Sequence, residues 1–278
     1  MRGLLGIIEN REIWATHTQY LNDTEEYEHA CKIAYGHILR LMNEHQHDSA
    51  ATHVLGEVQN TLVSLVKHMN VCVCCFTQRH DDLSQWRAYG GKSSGFSVGF
   101  SGEALRRAVG ANGWLVKVEY DNDKQSVLMK ELLLNVFDEN MQRFNRKNRG
   151  QELDDDKRIP VSGHLIRYLN QYAPMLKHGS FKEEDEWRIV TRPQPCPSER
   201  FGYREGASML IPYWKMNLAE LPNLGIEEII IGPTPYRDQS RSSVQGLLTK
   251  NGITLQWTTD KELTDVVLRD SAVPYRNW

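Results

Sequence analysis

Two apolar runs separated by a polar insert constrain this chain more than any other stretch. Val71 to Thr77 (VCVCCFT) and Gly95 to Ser101 (GFSVGFS) both read as core strands. Between them stand Arg79, His80, Asp81, Asp82, Trp86, Arg87 and Tyr89, followed by a Gly-Gly-Lys-Ser-Ser-Gly turn. Charges and large rings set side by side, with glycines that let backbone approach a ligand closely, are the composition of a binding cleft. The same residues also suit a decorated surface hairpin.

On either side the sequence switches between helical and strand periods. Leu4 to Ile8 opens a short helix that turns at Asn10 into a short strand, and Asn22 or Asp23 stands where a helix cap belongs. From Glu25 to His45, apolar residues such as Ala30, Ala34, Ile38 and Met42 recur at helical spacing, and Thr52 to Met69 repeats the pattern. Further helices are expected over 102–109, 128–144 and 162–176 and from Pro235 onward. Strands are expected over 114–120, 187–191, 226–231 and 253–257. The stretch 146–160, with Asp154-Asp155-Asp156, reads as a charged flexible loop. The expected architecture is a single α+β domain over residues 1–278. A central mixed or antiparallel sheet would be surrounded by the helices of the first seventy residues and of 122–176.

Charge narrows the function classes. Thirty-three basic residues against 36 acidic ones leave a net charge of −3, which is no global footprint for sequence-independent nucleic-acid binding, although a local patch stays open. No run approaches 18 apolar residues and none follows Arg2 as a leader would, so a cytoplasmic protein without a membrane span is expected. Five cysteines (Cys31, Cys72, Cys74, Cys75, Cys196) form an odd set, read as reduced thiols packed as small hydrophobes. Zinc on Cys72, Cys74 and His80 is the sharper alternative, but a strand-borne Cys-x-Cys is not the usual knuckle spacing. His29, His37, His45, His47, His53 and His68 lack a His-Glu-x-x-His pattern and read as surface or capping residues. Gly232-Pro233, between a strand and a helix, is a weak anion-holding candidate.

A second informative stretch runs from Lys177 to Val190. If Trp187 to Thr191 is a strand, Glu184 and Glu186 sit two apart on one face and Arg188 continues it. They would either line a site or form cross-strand ion pairs at a surface.

Leu21-Asn22-Asp23 with Glu26, Phe76-Thr77 with Asp82, Trp86 and Tyr89, Gly95 and Gly99-Phe100, Glu184, Glu186 and Arg188, Ile231-Gly232-Pro233, and Pro274-Tyr275-Arg276 together form an ordered set of motifs. They resemble the bacterial domain-of-unknown-function family numbered 2971, over nearly the whole chain. More remotely, the layout is similar to ADP-ribosyltransferase folds. In those, an early helix and strand, a central strand near a Ser/Thr and an aromatic, and a late Glu-x-Glu strand build the site. The matching positions are Ile8 to Thr16, Phe76 to Tyr89, and Glu184-Asp185-Glu186. A Tyr, His or Arg on a first strand ahead of the early helix is the part not found.

What that likeness implies is an NAD-consuming transferase in bacterial stress or phage defence, toxin-like in its chemistry. NAD would be its nucleotide substrate, and a nucleic acid or protein the acceptor. Glu186 would stabilise an oxocarbenium-like ribose and Glu184 would orient the acceptor. Trp86 and Tyr89 would stack on a ring, and Arg79 or Arg188 would pair with the pyrophosphate. Two rivals remain: a module that binds a nucleotide, nucleic acid or protein without altering it, and a metal-dependent nuclease built from Asp23, Glu26, Asp82 and Glu184. Trp86 and Tyr89 could equally be core anchors, and Asp82 a plain helix cap.

Overall fold

The computed structural model describes residues 2–21, 25–65, 70–90, 95–149, 161–193, 198–256 and 265–274. In chain order, α1 (Arg2–Asn10) leads through Arg11, at φ 55°, into β1 (Glu12–His17). Then come α2 (Glu25–Glu44), α3 (Ser49–Leu65), β2 (Cys72–Thr77), α4 (Leu83–Tyr89), β3 (Phe96–Phe100), α5 (Gly102–Val109) and β4 (Gly113–Lys117). They are followed by α6 (Asn122–Asn148), α7 (Val161–Tyr172), β5 (Glu186–Thr191), β6 (Phe201–Glu205) and β7 (Leu210–Asn217). The chain closes on β8 (Ile226–Ile231), α8 (Arg237–Lys250) and β9 (Val267–Asp270).

The fold is mixed α+β, built on an antiparallel six-stranded sheet in the order β4-β5-β2-β1-β7-β6 and a three-stranded sheet in the order β3-β8-β9. The two apolar runs do form strands, but they are not the arms of a hairpin. β2 pairs with β1 and β5 in the large sheet, while β3 pairs with β8 in the small one. The polar insert therefore crosses from one sheet to the other. A hairpin needs a short connection, and a seven-residue helix inside the insert rules that geometry out.

The two sheets share one core. Ile13, Ala15, Cys72, Ile189, Trp214 and Met216 meet Ile226 and Ile229, with Leu4 and Ile8 of α1, Leu105 and Val109 of α5, and Val244 and Leu248 of α8 packed against them. The other long helices have a separate core: Ala30, Ala34 and Ile38 of α2, Val58 and Leu62 of α3, Met129, Leu133 and Val136 of α6, and Leu165 and Leu169 of α7. Ala173 and Leu176, just past α7, belong to this helical core. They lead straight into the segment that lies along the large sheet.

Several expectations change at element ends. α6 starts six residues before the expected Leu128 because Asp121 caps it, its carboxylate accepting from the N–H groups of Asp123 and Lys124. The helix also runs on to Asn148, into the stretch read as loop; the three aspartates at 154–156 lie outside the described residues. The expected strand over 253–257 reduces to a single bridge between Leu255 and Val266. The last strand is instead β9, parallel to β8, a four-residue edge with too little pattern to announce itself. Asn22, Asp23, His68, Cys196, Trp257 and Tyr275 also lie outside the described residues. No described helix is long and apolar enough to cross a membrane.

Gly232, placed by the sequence at an anion-holding turn, has a packing duty instead. Its N–H donates to the Gly95 carbonyl at 3.0 Å. A Cβ there would stand 2.8 Å from that oxygen and 2.9 Å from the Trp86 ring. Only a glycine lets the insert lie this close to the end of β8. Gly232→Ala is expected to destabilise the protein by about 1–3 kcal/mol, the usual cost of overpacking a filled site, read as a lower urea midpoint with unchanged m-value.

Candidate functional site

The site forms where the helical layer meets the large sheet. Past α7, a 3-10 turn (Ala173–Met175) brings the chain alongside β4's extension: the Glu119 N–H donates to the Met175 carbonyl at 2.8 Å and the Lys177 N–H to the Glu119 carbonyl at 3.2 Å. Gln125, fully buried in α6, fixes the same segment. Its amide nitrogen donates to the carbonyls of Glu119 (2.6 Å) and Lys177 (2.8 Å). A second 3-10 stretch (Gly179–Glu184) then ends at Asp185 in the left-handed region, φ 43°, and β5 begins at Glu186.

Glu184 and Glu186 therefore do come together, but not by the alternation of a strand. Glu184 lies before β5, on the far side of a left-handed residue. What joins the two carboxylates is Lys177, whose Nζ lies 2.7 Å from Glu184 Oε2 and 3.1 Å from Glu186 Oε2. Arg188, two residues along β5 on the face of Glu186, donates from Nε to Glu186 Oε1 (2.7 Å) and from Nη2 to Oε2 (2.9 Å). Its Nη1 donates to the Pro174 carbonyl at 2.8 Å. The reading as surface ion pairs fails on burial for Glu186 and Arg188, which with Lys177 are each 4% exposed or less, while the Glu184 side chain is 30% exposed.

The charge states follow from this packing. Burial by itself would raise the Glu186 carboxyl, but the Arg188 guanidinium, with Cys75 and Lys177, outweighs it and holds the group below its ordinary value of 4.5. Cys75 is exposed as a residue. Its thiol nevertheless faces the network, where desolvation pushes it well above its ordinary range, with Arg188 opposing and Glu186 adding to the rise. A thiol held protonated there is a hydrogen-bond donor to Glu186 and a poor nucleophile. The Tyr120 hydroxyl accepts from the Glu186 N–H at 3.1 Å.

A cleft of about 350 Å³ opens beside this network, within the roughly 300–1,000 Å³ span of small-molecule sites. Tyr89, Gln85, Phe76 and Thr77 stand across from Glu184, Glu186, Lys177 and Arg188. Thr77 donates its hydroxyl hydrogen to the Glu184 carbonyl at 2.6 Å, tying β2 to the acidic turn. Tyr89 is 77% exposed, and its phenol is raised first by burial and then by the charge of Glu184.

The remaining candidates lie elsewhere. Trp86 is buried and its Nε1 donates to Asp81 Oδ1 at 2.8 Å, so it is a core anchor of the insert and does not line the cleft. Arg79 is exposed and pairs with Asp82 at 3.4 Å, also away from the cleft. Asp82 caps α4 by accepting from the Ser84 N–H at 2.8 Å. The described cysteines, Cys31, Cys72, Cys74 and Cys75, form no disulfide among themselves. Among the described residues no group of three or more His, Cys, Asp or Glu is arranged to hold a metal.

The sequence missed Lys177 and Gln125. A lysine after an apolar helix and a glutamine in a helix's first turn carry no signal of their own, because both act through backbone neighbours distant in sequence. Glu119 and Tyr120 were read only as the end of a strand.

The buried pair sets a pH dependence. Because the folded-state pKa of Glu186 is depressed, its contribution to stability is present in full above about pH 4.5 and is lost as pH falls through the lower folded value. Urea midpoints measured from pH 7 to 3 should therefore fall more steeply for wild type than for Glu186→Gln in the acid range. Arg188→Met leaves the Glu186 charge buried without its main partner and should cost about 3–5 kcal/mol at neutral pH.

No curated protein and no solved structure matches this chain. The matched segment, residues 85–189, takes in Trp86, Tyr89, Gly99, Glu184, Glu186 and Arg188, though not the motifs before residue 85 or after 189. Residues 85–189 match the model of the family described as Protein of unknown function (DUF2971), the family the motifs resemble.

Proposed function

We propose that the cleft is a nucleotide site where NAD is consumed by ADP-ribosyltransferase-like transfer, as part of a bacterial stress or phage-defence response. The observation that carries this reading is the joining of an acidic pair and an aromatic ring, from parts of the chain about a hundred residues apart, in one small cleft.

The division of labour follows from partners. Glu186 is saturated by Arg188, Lys177 and Cys75, so it is the fixed negative centre that orients Lys177. Glu184, with a side chain 30% exposed, is the carboxylate within reach of a ligand. As the bond between ribose C1′ and the nicotinamide nitrogen breaks, its electron pair leaves with nicotinamide, and positive charge develops at C1′, where a carboxylate stabilises it. A new bond then forms from C1′ to the acceptor's nucleophilic atom, whose proton passes to a carboxylate. Tyr89, exposed at the cleft, supplies the stacking surface that Trp86 does not.

One observation favours the second reading, a binding module without turnover: two cations already neutralise Glu186, which weakens the field it projects into the cleft. The two separate on labelled NAD incubated with candidate acceptors. Nicotinamide release that falls at least about 100-fold in Glu184→Gln, the order expected for a general base or charge stabiliser, supports the transferase. NAD binding with no product for any acceptor supports the module. In either case Tyr89→Ala, at an exposed position, should weaken NAD binding by up to about tenfold while leaving the unfolding midpoint in place.

A further inference from the structure

The residue after Lys177 faces a second hollow. His178 has extended backbone (φ −60°, ψ 139°), so its side chain leaves opposite to that of Lys177. On its side a cavity of about 500 Å³ opens between α2 and the start of α6. The α2 wall carries His29, Lys32, Gly36 and Arg40, an i, i+3, i+7, i+11 stripe along one helix face, with His37 beside it. Of the nine described lining residues, five are His, Lys or Arg and none carries a carboxylate.

The imidazoles are held in place from below. Gln125 spends its amide nitrogen on two carbonyls, so its oxygen must accept, and His29 Nε2–H donates to it at 2.8 Å. His37 Nε2 meets Ser126 Oγ at 3.0 Å. The first turns of α6 contribute Asn122 and Ser126 to the floor, where the positive end of a 27-residue helix dipole adds to the field. At His37, burial lowers the pKa first and the charge of Arg40 lowers it further. Glu28 reaches Lys32 at 3.7 Å, both side chains being at least half exposed, which is worth little.

Gly36 lies in the middle of this stripe. A glycine inside a helix is disfavoured, yet this one stands between Lys32 and Arg40, where a Cβ would meet nothing within 4 Å. Its missing side chain leaves the middle of the stripe open while the two long cations flank it. Phe, Tyr and Trp are absent from the described lining, whose planar groups are imidazoles and the Arg40 guanidinium, a set of N–H donors suited to phosphate oxygens.

We propose that this groove binds a small phosphate-bearing ligand through its phosphates alone, with Lys32 and Arg40 as flanking cations and the histidine-lined floor as donors. The shared chemistry is a diphosphate, free or carried by a nucleotide. The inference does not rest on NAD turnover, which is proposed for the other cleft.

Calorimetric titration of the full chain with inorganic pyrophosphate, with ADP, and with a labelled single-stranded oligonucleotide tests it. Pyrophosphate and ADP should bind with similar affinity, since only the phosphates are held. Lys32→Ala/Arg40→Ala should weaken both at least about tenfold, the loss of one charge-assisted contact or more. Gly36→Glu places a carboxylate in open space and should abolish binding without lowering the unfolding midpoint, since glutamate favours a helix interior over glycine, while Lys32→Arg should retain it. Pyrophosphate binding that the variants leave untouched, or its absence from wild type, would overturn the assignment. Binding of ADP without pyrophosphate would also overturn it, because recognition would then lie in the base. Binding of the oligonucleotide alone would do the same in favour of a polymer surface.

Discussion

A buried lysine and a buried arginine sharing one glutamate set the terms for this structure. Taking a charge out of water costs several kcal/mol, recovered only when partners are close and the remaining donors are satisfied. Glu186 meets that condition with Arg188 at 2.7 Å and 2.9 Å and Lys177 at 3.1 Å, and Arg188 meets it again at the Pro174 carbonyl. Each contact joins elements far apart in the fold: a strand, the turn after α7, and the segment anchored by Gln125. Displacing any of them leaves an uncompensated charge. The network thus fastens the helical layer to the sheet as well as lining the cleft.

The same saturation explains why two carboxylates separated by one residue have different chemistry. Glu186 is enclosed, held below its ordinary pKa and unable to move without breaking ion pairs. Glu184 lies outside β5, past the left-handed Asp185, and shares only Lys177. One group is scaffolding for the field and the other is within reach of a ligand. Environment separates them, since their side chains are identical.

The insert shows a parallel division between Trp86 and Tyr89. Three residues apart on a helix, they point only about 60° away from one another, and sequence spacing suggests a common fate. α4 lies between two bodies, so a modest difference in direction decides which body each ring meets. Trp86 turns toward Gly232 and the small sheet, with its indole N–H spent on Asp81. Tyr89 turns toward the acidic pair.

The sequence determined the secondary elements wherever local physics suffices. Apolar periodicity placed α2, α3, α5 and β8 to within a few residues, because one buried face repeats along each of them. The mixed α+β class follows from the same periods, and Asp82 was legible as a helix cap because a cap acts on residues two away. Only the tertiary structure decided that β2 and β3 belong to different sheets, since strand partners are chosen by long-range burial and not by the intervening loop. It also decided that Lys177 joins Glu184 to Glu186, and that His29, Lys32 and Arg40 wall one groove with His178. Those groupings bring together residues scores of positions apart, and no spacing along a chain encodes a distance that is set by how its layers pack.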